Sequence, residues 1–172
     1  MANFYVYLIS SLPMLHFGLM PPFSFERFLK TCHDKISDDD IRIIEVAREG
    51  LLYAGEQPTL KHWSLFDTAL RNELVKIRAV HRHLDPFKYL RGQDYIEPHV
   101  TRIAMNAHRA PSVMEAEKLL DLQRWHKLDE LAAGHYFDLD FLICYSLKLL
   151  ILERWVRVNT ADKPRLLDEA LN

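Results

Sequence analysis

The chain has 172 residues, 49% of them hydrophobic and 27% charged, a balance that excludes a disordered or fibrous protein and suffices for one domain with its own core. Its formal charge of −2, with no Lys/Arg cluster interleaved with aromatics, argues against nucleic acid and against any general attraction to anionic lipid. Cys32 and Cys144 lie far apart in apolar helical patterns, which excludes a disulfide framework and predicts two reduced core thiols.

The first apolar segment, Phe4 to Leu12, lacks a basic flank and runs into Pro13 without a small-residue cleavage site. It is expected to belong to the fold, as strand or helix, rather than to a signal peptide. Gly18 to Pro22 reads as a turn. Ser24 then caps a helix whose apolar positions Phe25, Phe28, Leu29 and Cys32 follow three-four spacing. Ser37, followed by Asp38, Asp39 and Asp40, opens a second helix, with carboxylates set against the positive helix end. Ile41, Ile44, Val46, Leu51 and Leu52 carry that pattern to Tyr53, before a break from Gly55 to Pro58.

Trp63, Leu70, Ile77 and Leu84 recur every seven residues, with Phe66 and Val80 between them. This is the seam of a long packing helix. Its polar interruption is Arg71, Asn72 and Glu73, and an arginine, Arg78 or one on a neighbouring helix, is the expected partner for Glu73. Asp85 and Pro86 predict a short helix ending at Gly92. Another helix covers Asp94 to His108. Pro111, Ser112 and Glu115 open the next, which carries Met114, Leu119, Leu122, Trp125, Leu128 and Leu131 up to Gly134. Asp138 or Asp140 caps an apolar helix through Trp155 and Val156, too short and too interrupted by charge to span a bilayer. Pro164 begins a short amphipathic tail. With five glycines and no Asn-Gly or Asp-Gly hairpin signal, the pattern predicts an all-α, single-domain bundle of about seven to nine helices over residues 1–172.

No motif for chemistry accompanies this pattern. There is no nucleophile elbow, no Gly-rich phosphate loop and no His-Glu-x-x-His. Of nine histidines, His81 and His83 would point apart on a helix and cannot share an ion. His126 and Glu130 read as a surface pair. His16, His33, His62, His99, His108 and His135 are isolated in sequence. The run Asp38 to Asp40 reads as a cap rather than a cation site. No catalytic residue, cofactor or metal ligand is assigned. A His/carboxylate metal enzyme built from His81, His83, His99, Asp85 and Glu73 is the alternative.

The opening residues Tyr5 to Pro13, Pro21 to Ser24, Phe28 and Leu29 resemble an uncharacterised bacterial family encoded among V-type ATPase genes. Leu70-Arg71-Asn72-Glu73-Leu74, with Ile77 and Arg78, is similar to the Leu-Arg-Asn-Asp-Leu helix of the V-type ATPase C-subunit family. Leu122 to Trp155, through Trp125, Leu128, Tyr136, Phe137, Phe141, Tyr145, Leu149 and Arg154, is similar to that family's aromatic helix pair. Members of that family are longer, with three repeated helical units, so this chain would be a reduced version.

The resemblance implies a non-catalytic accessory or central-stalk component that couples the soluble ATPase to the membrane rotor. Its partners would be the V-type ATPase stalk subunits and the proteolipid ring, at the cytoplasmic face of the inner membrane and without membrane insertion. Arg71, Asn72, Glu73 and Arg78 carry over as a polar segment that orders helices or faces a partner. Tyr53, Trp63, Tyr89 and Tyr95 are candidate contact aromatics. A helical scaffold for another complex is a further alternative.

Overall fold

The computed structural model describes residues 5–50, 53–92 and 98–161. Its elements are seven α-helices, with no strand among the described residues. They are α1 Val6–Ser11, α2 Phe25–Cys32, α3 Asp38–Glu49, α4 Pro58–His81, α5 Pro98–His108, α6 Val113–Leu131 and α7 Leu139–Thr160, with a 3-10 turn at Pro86–Lys88. The all-α expectation holds. No helix among the described residues is long and apolar enough to cross a membrane.

The helix starts predicted at Ser24, Ser37, Ser112 and Asp138 or Asp140 have local causes. The hydroxyls of Ser24, Ser37 and Ser112 accept the amides of Arg27, Asp40 and Glu115 at 3.2, 3.3 and 3.1 Å, giving three otherwise unpaired donors a partner. Asp138, not Asp140, caps α7 through the Phe141 amide at 3.1 Å. Asp140 reaches back instead to the start of α4, where its Oδ1 accepts from Gln57 Nε2 at 2.6 Å and Thr59 Oγ1 at 2.5 Å. Gln57 itself caps α4 through the Leu60 amide at 2.6 Å.

The core gathers around α7. That helix packs against α2, α3, α4 and α6 and buries Leu142, Ile143, Cys144, Tyr145, Ser146, Leu147 and Leu149 almost all round, as a helix enclosed by neighbours requires. Phe28 on α2 and Leu70 on α4 are wholly buried, each burial contributing about 1.5–3 kcal/mol. Two polar ties cross this core. Tyr145 donates to the Pro13 carbonyl at 2.9 Å, and Glu153 of α7 accepts the first amide of α2 at 2.9 Å. The opening segment is helical: α1 buries Leu8 and Ile9, while the Tyr5 amide donates to Phe137 O at 2.6 Å and its hydroxyl to Asp40.

Several boundaries differ from expectation. Helix α3 stops at Glu49 because Gly50 adopts a left-handed conformation at φ 62°, which glycine reaches without a Cβ clash. Within α3, Val46 is exposed; Leu51 and Leu52 lie outside the described residues. The seam of α4 is buried at Trp63, Phe66 and Leu70 but runs out into solvent at Val80 and Leu84. The helix ends at His81 and the chain turns at His83, φ 53°. The helix expected up to Gly92 is a single 3-10 turn. Asp94 to Glu97 and the tail from Pro164 fall outside the described residues.

Candidate functional site

The most unusual feature of this core is a chain of charges where α4, α6 and α7 meet. Asp67 sits one position after the buried Phe66 on α4, on a face turned toward α6. Its Oδ1 accepts from Arg124 Nε of α6 at 2.8 Å, and its Oδ2 faces Arg71 Nε, one helical turn on, at 2.7 Å. Arg124 continues to Asp121 Oδ1 at 2.9 Å. Asp121, 1% exposed, uses Oδ2 to receive the Trp155 indole N–H at 2.9 Å and Arg154 Nη2 at 2.7 Å, both from α7. Arg154 Nη2 also pairs with Glu117 at 2.9 Å.

Three carboxylates thus meet three guanidinium groups, so the network is neutral in sum, with Asp67, Asp121 and Arg124 at its buried centre and Arg71 at its exposed edge. Burial opposes the charge on Arg124, but the adjoining carboxylates of Asp67 and Asp121 outweigh it and push its pKa above the usual value. Such pairs add little net stability because desolvation offsets attraction, whereas losing one partner is expensive. Their geometric effect is to hold α6 in register with α4 on one side and α7 on the other. Both oxygens of Asp67 and of Asp121 are committed to cationic or indole partners, an arrangement suited to tying helices rather than to relaying a proton to substrate.

Beside the network an open cleft of about 360 Å³ runs between the end of α3 and α4. Apolar Val46, Tyr53 and Trp63 form its walls, and Asp67, Arg71 and Arg91 its polar side. Asn72 secures that side. Its Nδ2 donates to Arg91 O at 2.8 Å and its Oδ1 accepts the Arg91 amide at 3.0 Å, so one buried amide group replaces two backbone partners for the segment after the 3-10 turn.

The predicted polar segment therefore divides. Arg71 joins the network and Asn72 holds the Arg91 backbone. Glu73 pairs with Lys76 at 2.8 Å, not with an arginine, because Lys76 lies on the same face one turn later. Arg78 is exposed and lines a separate groove with Leu74, His108 and Glu117. Of the four contact aromatics, Trp63 is buried, Tyr53 half-buried and Tyr89 exposed; Tyr95 lies outside the described residues.

The histidines are also less isolated than their spacing implies. His108 meets His81, Nε2 to Nε2 at 2.8 Å. His99 stacks on Phe66 with ring centres 6.3 Å apart. His135 Nδ1 lies 2.7 Å from Asp138 Oδ2 and 3.8 Å from Asp140. No three of His81, His83, His99, Asp85 and Glu73 converge; the three-ligand cluster found among the described residues is His135, Asp138 and Asp140, their atoms within 4.8 Å. His126 does not hold Glu130, which takes Lys127 at 3.2 Å. Cys32 and Cys144 are buried and unpaired as disulfides, and burial pushes each thiol up to about 12.

Residues 98–167 match a family described as "Protein of unknown function (DUF2764)". The matched span covers less than half of the chain, takes in α5, α6 and α7, and includes Glu117, Asp121, Arg124, Arg154 and Trp155. It does not extend to the opening segment or to Leu70 to Arg78. No curated protein and no solved structure matches the chain.

Sequence reasoning missed Asp67, Asp121 and Arg124. The signal was present as Asp67 with Arg71 at four-residue spacing and Asp121 with Arg124 at three, each set among buried apolar positions.

Proposed function

We propose that this chain is a non-catalytic helical component of a bacterial V-type ATPase, an accessory or central-stalk protein akin to the C-subunit family. It would couple the soluble ATPase to the membrane rotor by contact rather than by chemistry. One observation supports this role above the others. The two stretches similar to that family, Leu70 to Arg78 and Leu122 to Trp155, meet through a single charge network: Arg71 joins it through Asp67, and Arg124, Arg154 and Trp155 enter it directly. A connector that transmits torque needs helices that do not slide, and close packing crossed by charge pairs resists sliding.

An exposed apolar edge fits a protein-binding role. Val80, Leu84, Phe87 and Tyr89 are 69, 48, 75 and 55% exposed, around the end of α4 and the 3-10 turn, where a monomer gains nothing from them. Affinity capture of this chain from membranes of its source cells tests the proposal. Recovery of V-type ATPase stalk subunits supports it. Recovery of a different assembly, with the ATPase intact in the same membranes and absent from the eluate, replaces it with a scaffold for that assembly.

A further inference from the structure

Helices α4 and α5 each end on a histidine, and the two side chains meet. His81 closes α4 and His108 closes α5. Their Nε2 atoms are 2.8 Å apart, with ring centres 4.5 Å apart and planes at 34°. A straight N–H···N hydrogen bond between imidazoles would hold the ring centres about 5 Å apart at this nitrogen separation. The shorter separation means that the rings are tilted off that line, which takes the donated hydrogen or the accepting lone pair out of alignment.

That geometry suits a different occupant. One metal ion held at about 2.0–2.1 Å by two imidazole nitrogens at a right angle sets the nitrogens about 2.9 Å and the ring centres about 4.5 Å apart. The tetrahedral angle of zinc would spread them to about 3.4 and 5.2 Å. We propose that His81 and His108 form a binding site for a divalent late transition-metal ion with right-angle positions, copper(II) or nickel(II), whose other positions take water.

The surroundings admit a cation. Both histidines are exposed, so an ion reaches them, and each stands at a helix C-terminus, the negative end of the helix dipole. Glu117 lines the groove beside His108. The neighbouring cations, Arg78 in that groove and Arg82 and Arg109 next along the chain, are exposed, so water screens their repulsion. Binding would staple the ends of two adjacent helices and stabilise the fold by linkage. The site is independent of any role in the ATPase.

The test uses the full chain without a polyhistidine tag, titrated calorimetrically with copper(II) and nickel(II) chlorides against glycine as a competing weak chelator. The expected result is one ion per chain, a raised Tm, and a copper(II) paramagnetic resonance spectrum coupled to two imidazole nitrogens. His81→Ala and His108→Ala should each weaken binding by about tenfold or more, since even outer-shell changes cost 10–100-fold at metal sites. His135→Ala, at the other histidine cluster, should leave it unchanged. Absence of binding above the competing chelator overturns the proposal, as does binding that survives both His81→Ala and His108→Ala or is lost in His135→Ala.

Discussion

The carboxylate of Asp121 on α6 accepts the indole N–H of Trp155 on α7 at 2.9 Å, in a position where Asp121 has almost no contact with solvent. The same carboxylate anchors Arg124 and Arg154. Replacing it takes one of two carboxylate partners from each guanidinium, leaving Arg124 with Asp67 and Arg154 with Glu117. Asp121→Ala should therefore destabilise the fold by about 3–5 kcal/mol. Trp155→Phe, which removes one neutral donor and leaves the ion pairs, should cost only about 1–2 kcal/mol. Urea unfolding of the two variants measures both values, and equal effects would mean that the charges matter no more than the indole.

Asn72 is the hinge pin of the segment that follows α4. Without its amide, the Arg91 N–H and C=O lose the partners they have at 3.0 and 2.8 Å. Asn72→Ala should cost about 1–3 kcal/mol, and hydrogen exchange at the Arg91 amide should quicken more than at the α7 core. Unchanged exchange at Arg91 would contradict this role.

His135 gives the fold a pH dependence of definite sign. Its hydrogen bond to Asp138 raises the imidazole pKa above the ordinary 6.5, against a smaller opposing effect of burial and with help from the charges of Asp138 and Asp140. A folded-state pKa above the unfolded value means a contribution fully present below about pH 6.5 and lost as pH rises through the folded pKa. The stability difference between the wild-type chain and His135→Gln should therefore favour the wild type at pH 5.5 and shrink by pH 8. Solvent exposure of the ring keeps the effect small. A difference that grows with pH would refute the assignment.

Cys32 and Cys144 are buried thiols with pKa values pushed up to about 12, so almost no thiolate exists at neutral pH. Neither should react with a disulfide reagent in the native chain, and both should react on unfolding. Rapid modification of either in native buffer would show that the α2 to α7 packing opens readily.

Much of this architecture is readable from local chemistry. Ser24, Ser37 and Ser112 announce the starts of α2, α3 and α6, and Asp138 or Asp140 that of α7, because a cap depends on four consecutive residues and nothing distant. The seam at Trp63, Phe66 and Leu70 is equally local. What periodicity does not carry is burial at a helix end. Val80 and Leu84 keep the rhythm of the seam, yet both are exposed, with no cover among the described residues. Cross-helix partners are hidden for a related reason. Asp67 with Arg71 and Asp121 with Arg124 are legible as pairs within a helix, but that Arg124 bridges Asp67 to Asp121 depends on the register of α4 against α6. The meeting of His81 with His108, 27 positions apart, likewise exists only once α4 and α5 end side by side.

Assembly into the rotary machine is tested most directly from the side of the machine. V-type ATPase purified from the source cells through a catalytic-head subunit should contain this chain in fixed proportion to the stalk subunits by quantitative mass spectrometry. Substituting Phe87 and Tyr89 with aspartate should lower that proportion without unfolding the isolated chain. Intact ATPase recovered with stoichiometric stalk subunits and none of this chain, from cells that express it, would contradict the proposed role.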